Sequence, residues 1–236
     1  MPPAYGLVFA ILAAFSALVA VLASGWSLLP LRVAGAAAAL SLLLVAVAYF
    51  GAGPRLLFKR ADGRHHPLAW LVHWPFFALT AFAYRLAVGG RPGTAYAAVA
   101  PNVLLGRRLT SREAVEVTAG LVAVLDLAGE LPEAAPMREV KGYRSLPVLD
   151  ATAMTPGQLR DAVEWLGKHA AAGPVYVHCA LGHGRSATVV AAYLIACGHA
   201  PDVKSALTSL RALRPGVRLH RPQRKLLDEF ASGSHE

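Results

Sequence analysis

Charge is missing from the start of this chain. No charged residue precedes Arg32, none falls between Val33 and Pro54, and no acid appears before Asp62. Such stretches cannot form the wetted surface of a soluble domain, where charged side chains of both signs are the rule. Cysteine is almost absent too, with only Cys179 and Cys197 in 236 residues. Two cysteines exclude a disulfide framework, and without zinc-like Cys/His spacing neither a structural metal nor any other cofactor is expected. No aromatic–basic platform stands out either, so the net charge of +9 does not point to nucleic acid.

The uncharged stretches read as membrane helices. Tyr5 to Leu22 and Val33 to Phe50 each approach the ~20 apolar residues that cross a hydrocarbon core. The first lacks the basic start of a cleavable signal. A third stretch, Pro67 to Tyr84, is apolar apart from His73, carries Trp70 and Trp74 near its start and contains Pro75. It reads either as a third span or as an interfacial or re-entrant helix. Residues 1–88 are thus expected to form a membrane region with two or three hydrophobic helices. Arg55 to His66 is a basic loop that favours the cytoplasmic side. Three full spans would then send the rest of the chain outward, whereas a reactive thiol belongs in a reducing compartment. The expectation is an integral protein of a bacterial inner membrane with its later domain in the cytoplasm.

Glycines and Pro92 between Ala87 and Tyr96 suggest a linker, and residues 97–230 suit one compact domain. Its pattern alternates short apolar runs (Asn102–Leu105, Leu121–Leu127, Leu146–Leu149, Val175–Val177) with helical ones. Thr110 with Glu113, and Thr155 with Pro156 and Gln158, are helix-start signatures, and Asp202 is a further cap. Helices are expected from these points, from Ser186 to Cys197 and from Pro222 to Phe230, while Pro132 to Pro136 reads as loop. The expected fold class is α/β. Cys197, late in an apolar helix, is expected to be a small buried hydrophobe.

The chemistry concentrates in Val175-Tyr176-Val177-His178-Cys179-Ala180-Leu181-Gly182-His183-Gly184-Arg185-Ser186. A strand ends on a cysteine, and a helix begins at an arginine six positions later. Ala180, Leu181, Gly182, His183 and Gly184 can fold as a nest of backbone N–H groups around an anion, with Gly182 and Gly184 allowing close approach. The helix start adds free N–H groups and its positive dipole end. Arg185 can grip two phosphate oxygens with its planar fork. The same field lowers the Cys179 pKa and leaves a thiolate beneath the bound phosphorus. Ser186 can hydrogen-bond Cys179, and His178 reads as a support for the loop. His183 either lines the mouth or is an ordinary surface histidine. Asp150 is the candidate general acid, with capping or solvent exposure as the alternative. Asp126 and Glu130 are weaker candidates, read as loop-ordering or capping residues, and Asp161 and Glu164 lie on a solvated helix face. The basic C-terminal residues Arg211, Arg214, Arg218, Arg221, Arg224 and Lys225 read as a solvated face, or secondly as one attracted to anionic lipid.

His178-Cys179, five residues, then Arg185-Ser186 resembles the signature of cysteine-dependent protein tyrosine phosphatases, in particular the compact dual-specificity branch. Gly182, Asp150, Val124-Leu125-Asp126-Leu127 and Arg214-Pro215-Gly216-Val217 resemble other landmarks of that branch. The resemblance spans about residues 97–230. It implies a central four- or five-stranded sheet flanked by helices, and phosphomonoester hydrolysis through a cysteinyl phosphate. A phosphotyrosine or phosphoserine/threonine protein is the expected substrate. The first alternative is a membrane phospholipid such as phosphatidylglycerol phosphate or a phosphoinositide, the second a non-enzymatic phosphate-recognition module. Inositide-directed relatives often carry lysines in the loop, where this chain has Ala180, Leu181 and His183. Asp150 and the complete Arg185-Ser186 ending argue against rhodanese or arsenate reductase chemistry.

Overall fold

The computed structural model describes residues 3–23, 25–89 and 94–233, and the chain divides into two compact units. One comprises Met1–Arg60 and His65–Arg91, the other Ala61–Arg64 and Pro92–Glu236. Part of the expected linker, residues 90–93, lies outside the described residues.

The first unit is helical. Helix α1 spans Pro3–Leu22 and α2 spans Leu29–Val47, which continues through a π turn at Ala48–Ala52 into a short 3-10 turn at Pro54–Leu57. Helix α3 runs over Pro67–Gly89, and Pro75 sits inside it without ending it. All three are long and apolar enough to cross a membrane. Phe15, Val21, Leu71 and Phe82 are among many large apolar side chains left exposed, an arrangement suited to lipid and costly in water. Small residues let the first two helices approach closely: a Cβ on Gly35 would lie 3.0 Å from the Ser16 carbonyl.

The second unit is an α/β domain around a five-stranded sheet. Its strands are β1 (Tyr96–Ala100), β2 (Val103–Arg107), β3 (Ala123–Ala128), β4 (Gly142–Val148) and β5 (Val175–Cys179), ordered β1-β2-β5-β3-β4. All adjacent pairs are parallel except β1–β2. Strands β5 and β3 are buried on both faces, which is why they read as apolar runs broken only by His178 and Asp126. Their C-terminal ends, with that of β4, open onto one edge of the sheet, where open α/β sheets gather ligand-binding loops.

Helices α4 (Ser111–Thr118) and α6 (Pro156–Ala170) begin with complete capping boxes at Thr110/Glu113 and Thr155/Gln158. Helix α8 (Val203–Leu213) is capped by Asp202, and α9 (Arg221–Gly233) closes the domain. The apolar α7 (Arg185–Ala196) is buried along nearly its whole length and forms the main core with β5, α6 and α8.

Three expectations need correction. Strand β1 starts within the expected linker. It is a half-exposed edge strand, Tyr-Ala-Ala-Val-Ala, lacking the apolar run that marks a buried one. Pro132 to Pro136 is not wholly loop, because the short helix α5 occupies Ala135–Arg138. Cys197 is exposed rather than buried, since it caps α7 just beyond the packed face.

Candidate functional site

The loop between β5 and α7 is held by backbone bonds to its neighbours. The Arg108 N–H, just past β2, donates to the carbonyls of Cys179 and Ala180 at 3.0 Å each. Gly182 adopts φ +75°, and a Cβ there would strike the Gly106 carbonyl of β2, so the loop needs glycine for both reasons. Gly184 has ordinary φ but packs against α9, where a Cβ would come 2.8 Å from Gln223 Oε1. His183 is half-buried, and its ring lies over Gly216. The residue is thus part of the packing beside the loop, with Arg218 N donating to its carbonyl at 3.0 Å. Ala180 and Leu181 are half-buried on the same loop.

Cys179 is 3% exposed at the floor of this turn, with Ser186 Oγ 3.4 Å from its sulfur. Burial alone would raise the thiol pKa. The adjacent Arg185 charge, with hydrogen bonds from the Ser186 hydroxyl and backbone, outweighs burial and the repulsion of Asp150 and holds the pKa below its ordinary value.

Arg185 is 2% exposed and its guanidinium is fixed from three sides. Glu130 accepts from both terminal nitrogens, at 2.7 Å from Nη1 and 2.6 Å from Nη2. Nη1 also donates to the Val148 carbonyl at 2.7 Å and the Leu127 carbonyl at 3.4 Å, at the ends of β4 and β3. Nε is buried and meets no acceptor among the described residues. The carboxylate of Asp150 lies 3.1 Å from Nη2, yet its side chain is 58% exposed. Asp150 follows β4, two strands away from β5, and the shared sheet edge brings it to Arg185.

The loop carrying Asp150 is tied down from α9. Gln223, 1% exposed, donates through Nε2 to the Thr152 carbonyl at 2.9 Å while its Oε1 accepts from the His220 N–H at 2.9 Å. Thr152 Oγ1 donates to the Leu149 carbonyl, and Ala151 adopts φ +58°, so the turn is tight.

Comparison with known proteins decides the family. The model of the Swiss Army Knife protein, DSP-PTPase phosphatase domain matches residues 102–226, over half of the chain. The chain belongs to this phosphatase family. It is a cysteine-dependent phosphatase of the dual-specificity type. Phosphatidylglycerophosphate phosphatase PTPMT2 of Arabidopsis thaliana is 45% identical over 71 residues, covering 30% of this chain and 31% of the plant protein. Phosphatidylglycerophosphatase and protein-tyrosine phosphatase 1 of Mus musculus is 37% identical over 87 residues, covering 36% and 45%. The matches thus span less than half the length of these curated relatives. Among solved structures, Tk-PTP in the active form superposes with TM-score 0.54 at 29% identity, covering 60% of this chain and 99% of that one. PTPMT1 in complex with PI(5)P gives 0.53 at 23% identity, covering 60% and 97%, and shows likeness of fold.

Glu130 and Gln223 are the phosphatase site residues that sequence reasoning undervalued or missed. Glu130 is not a cap; it is the counter-charge of Arg185. Its signal was a lone acid after a buried strand, with no spacing to link it to a residue 55 positions away. Gln223 is one polar residue on an amphipathic helix, and only its burial marks it.

The geometry makes a pH prediction. The rate of Cys179 alkylation by iodoacetamide, followed on a Cys197→Ser background, should rise to half its plateau well below the ordinary cysteine pKa of ~8.5. Ser186→Ala should move that midpoint upward, because a thiolate hydrogen bond is lost. An unchanged midpoint would mean that Ser186 does not stabilise the thiolate.

Proposed function

We propose that the chain hydrolyses a phospholipid phosphomonoester of the phosphatidylglycerophosphate type at a membrane surface. The observation that carries this reading is the similarity to two relatives whose names both give phosphatidylglycerophosphate as substrate, the second also naming protein tyrosine. It reverses the order expected from sequence, which put phosphoproteins first. Three apolar helices on the same chain support it, because they would keep the phosphatase domain within reach of lipid headgroups. The loop side chains Ala180 and Leu181 are neutral and apolar, which suits one phosphomonoester better than a headgroup with several.

In this mechanism the Cys179 thiolate attacks phosphorus in line with the leaving glycerol oxygen. The loop N–H groups, the start of α7 and Arg185 Nε hold the phosphoryl oxygens as negative charge redistributes. Glu130 takes one N–H from each terminal nitrogen and the Val148 carbonyl takes the second of Nη1, so Nε and the other Nη2 N–H are the pair left to grip substrate. Asp150 gives its proton to the leaving oxygen, and its carboxylate then takes a proton from the water that attacks the cysteinyl phosphate. Ser186 donates to the sulfur as it departs.

We further propose that α3 does not carry the chain across the bilayer. Ala61–Arg64, in the basic loop before α3, clusters with the phosphatase domain, where the Gly63 carbonyl accepts from the Glu133 N–H at 2.9 Å. The chain after α3 belongs to the same domain, so α3 starts and ends on one side of the membrane. That side is the cytoplasmic one by its basic loop, which also keeps Cys179 reduced.

Two experiments test these readings. Detergent-solubilised chain should release phosphate from phosphatidylglycerophosphate with kcat/KM at least about tenfold, or ~1.4 kcal/mol, above that for a phosphotyrosine peptide, and Cys179→Ser should release none. The opposite preference would return the chain to phosphoprotein chemistry. On sealed vesicles of a Cys197→Ser chain, a membrane-impermeant maleimide should reach Asp62→Cys and Glu229→Cys from the same side. Labelling from opposite sides would make α3 a full span.

A further inference from the structure

Behind the phosphate loop, on the face of β5 turned away from Cys179, lies a second cluster of ionisable groups that the reaction scheme leaves unused. His178, Glu133 and Asp126 are all fully buried at their side chains. His178 Nε2 is 3.0 Å from Glu133 Oε2 and 3.9 Å from Asp126 Oδ1, while Nδ1 is 3.2 Å from the Cys179 carbonyl oxygen. The remaining carboxylate oxygens are occupied. Asp126 Oδ1 accepts from the Ala128 N–H at 2.9 Å, Asp126 Oδ2 from the Tyr143 hydroxyl at 2.7 Å, and Glu133 Oε1 from the Ala134 N–H at 2.6 Å.

The protons of this cluster can be counted. A carbonyl oxygen and a carboxylate oxygen are both acceptors only. A neutral imidazole has one N–H, so either tautomer would set a ring lone pair against an oxygen lone pair in a site closed to water. Nε2 and Oε2 make no aligned hydrogen bond, but 3.0 Å from a buried carboxylate the ring is held attractively only as the cation, with both nitrogens protonated. We propose that Glu133 is a positioning residue for the phosphatase reaction. Paired with His178 and backed by Asp126 and Tyr143, it keeps the imidazole ring doubly protonated so that Nδ1 donates to the Cys179 carbonyl. This rests on Cys179 being the nucleophile.

Two consequences reach the reacting atoms. The Cys179 carbonyl receives two donors, Arg108 N and His178 Nδ1, which fixes the first peptide of the loop and polarises it toward an anion. A positive ring also sits one residue from the thiolate. Burial disfavours the charged ring, but the charges of Glu133 and Asp126, the contact with Glu133 and the Cys179 carbonyl together raise the His178 pKa above its ordinary value. The groups facing the ring come from several elements: Asp126 on β3, Tyr143 behind it on β4, Glu133 on the β3–α5 loop, and the Tyr176 ring at 5.7 Å on β5 itself. Arg108 Nε and Arg138 Nε reach the Pro132 and Glu133 carbonyls at 2.6 and 3.2 Å, so they hold the backbone of the Glu133 segment.

A divalent cation bound by the same three side chains is the competing occupant. It would need a ring lone pair on Nε2, which the two-proton account denies.

The test uses the intact solubilised chain. Glu133→Gln keeps the shape and removes the charge. The His178 pKa then falls, the ring loses a proton at lower pH than in the unmutated chain, and the Nδ1 contact is lost. The expected result is a new descending limb in the kcat profile toward alkaline pH and about a tenfold loss of kcat near pH 8, with KM little changed. The Cys179 alkylation midpoint should also rise, and Glu133→Asp should restore part of both. Nitrogen NMR of the unmutated chain should show both His178 ring nitrogens protonated at pH 8, a readout that does not depend on any variant folding. A neutral ring at pH 8, a Glu133→Gln profile parallel to that of the unmutated chain, or activity lost to a chelator and restored by zinc would each overturn the proposal. Failure of the unmutated chain to release phosphate from any ester would instead count against the phosphatase mechanism.

Discussion

The site depends on a guanidinium buried where water cannot reach it. Removing a charge from water costs several kcal/mol, so Arg185 can occupy its place only if every nearby group is arranged to receive it. Glu130 supplies the opposite charge in a two-pronged contact, and the ends of β3 and β4 supply carbonyls. Those contacts fasten together three loops that the chain visits at widely separated times. With Arg185 fixed, its field lowers the thiol pKa of Cys179, and its buried Nε is left without an acceptor among the described residues. Asp150 lies 3.1 Å from the same guanidinium while its side chain stays 58% exposed.

Much of this was legible in the sequence because it is local. The capping boxes at Thr110 and Thr155, the buried run of β5 and the Cys179–Arg185 spacing each lie within one short window, where periodicity and side-chain chemistry speak directly. The α/β class follows from the alternation of those windows, and the flanked four- or five-stranded sheet from the family resemblance that the loop carries. What was not legible is set by long-range pairing. Glu130 finds Arg185 across 55 residues, Gln223 reaches Thr152 across 71, and Glu133 meets His178 across two helices and a strand. Strand β1 escaped because an edge strand rich in alanine carries neither alternation nor β-branched bulk. Cys197 escaped because burial of a helix end turns on one residue of phase.

The membrane part and the catalytic part follow different physical rules. In the first unit, small residues allow close helix approach and large apolar ones face outward. In the second, apolar side chains turn inward, and the buried charges are paired or, at Arg214, held by the Thr94 and Leu181 carbonyls. The proposed bilayer substrate would reconcile both on one chain: the helices would confine the enzyme to the surface where the ester lies, and the loop would need to recognise only its terminal phosphate. Binding energy from the lipid's remaining parts can then raise the rate of a site whose own pocket chemistry is generic.

The most direct test of the account is capture of the phosphorylated enzyme. An Asp150→Asn chain mixed with an aryl phosphate, whose leaving group needs no proton, should form the cysteinyl phosphate and hydrolyse it slowly. Rapid acid quenching and mass spectrometry of the peptides should then find the phosphoryl group on Cys179. Phosphate released without any adduct on Cys179, or an adduct on another side chain, would contradict the account.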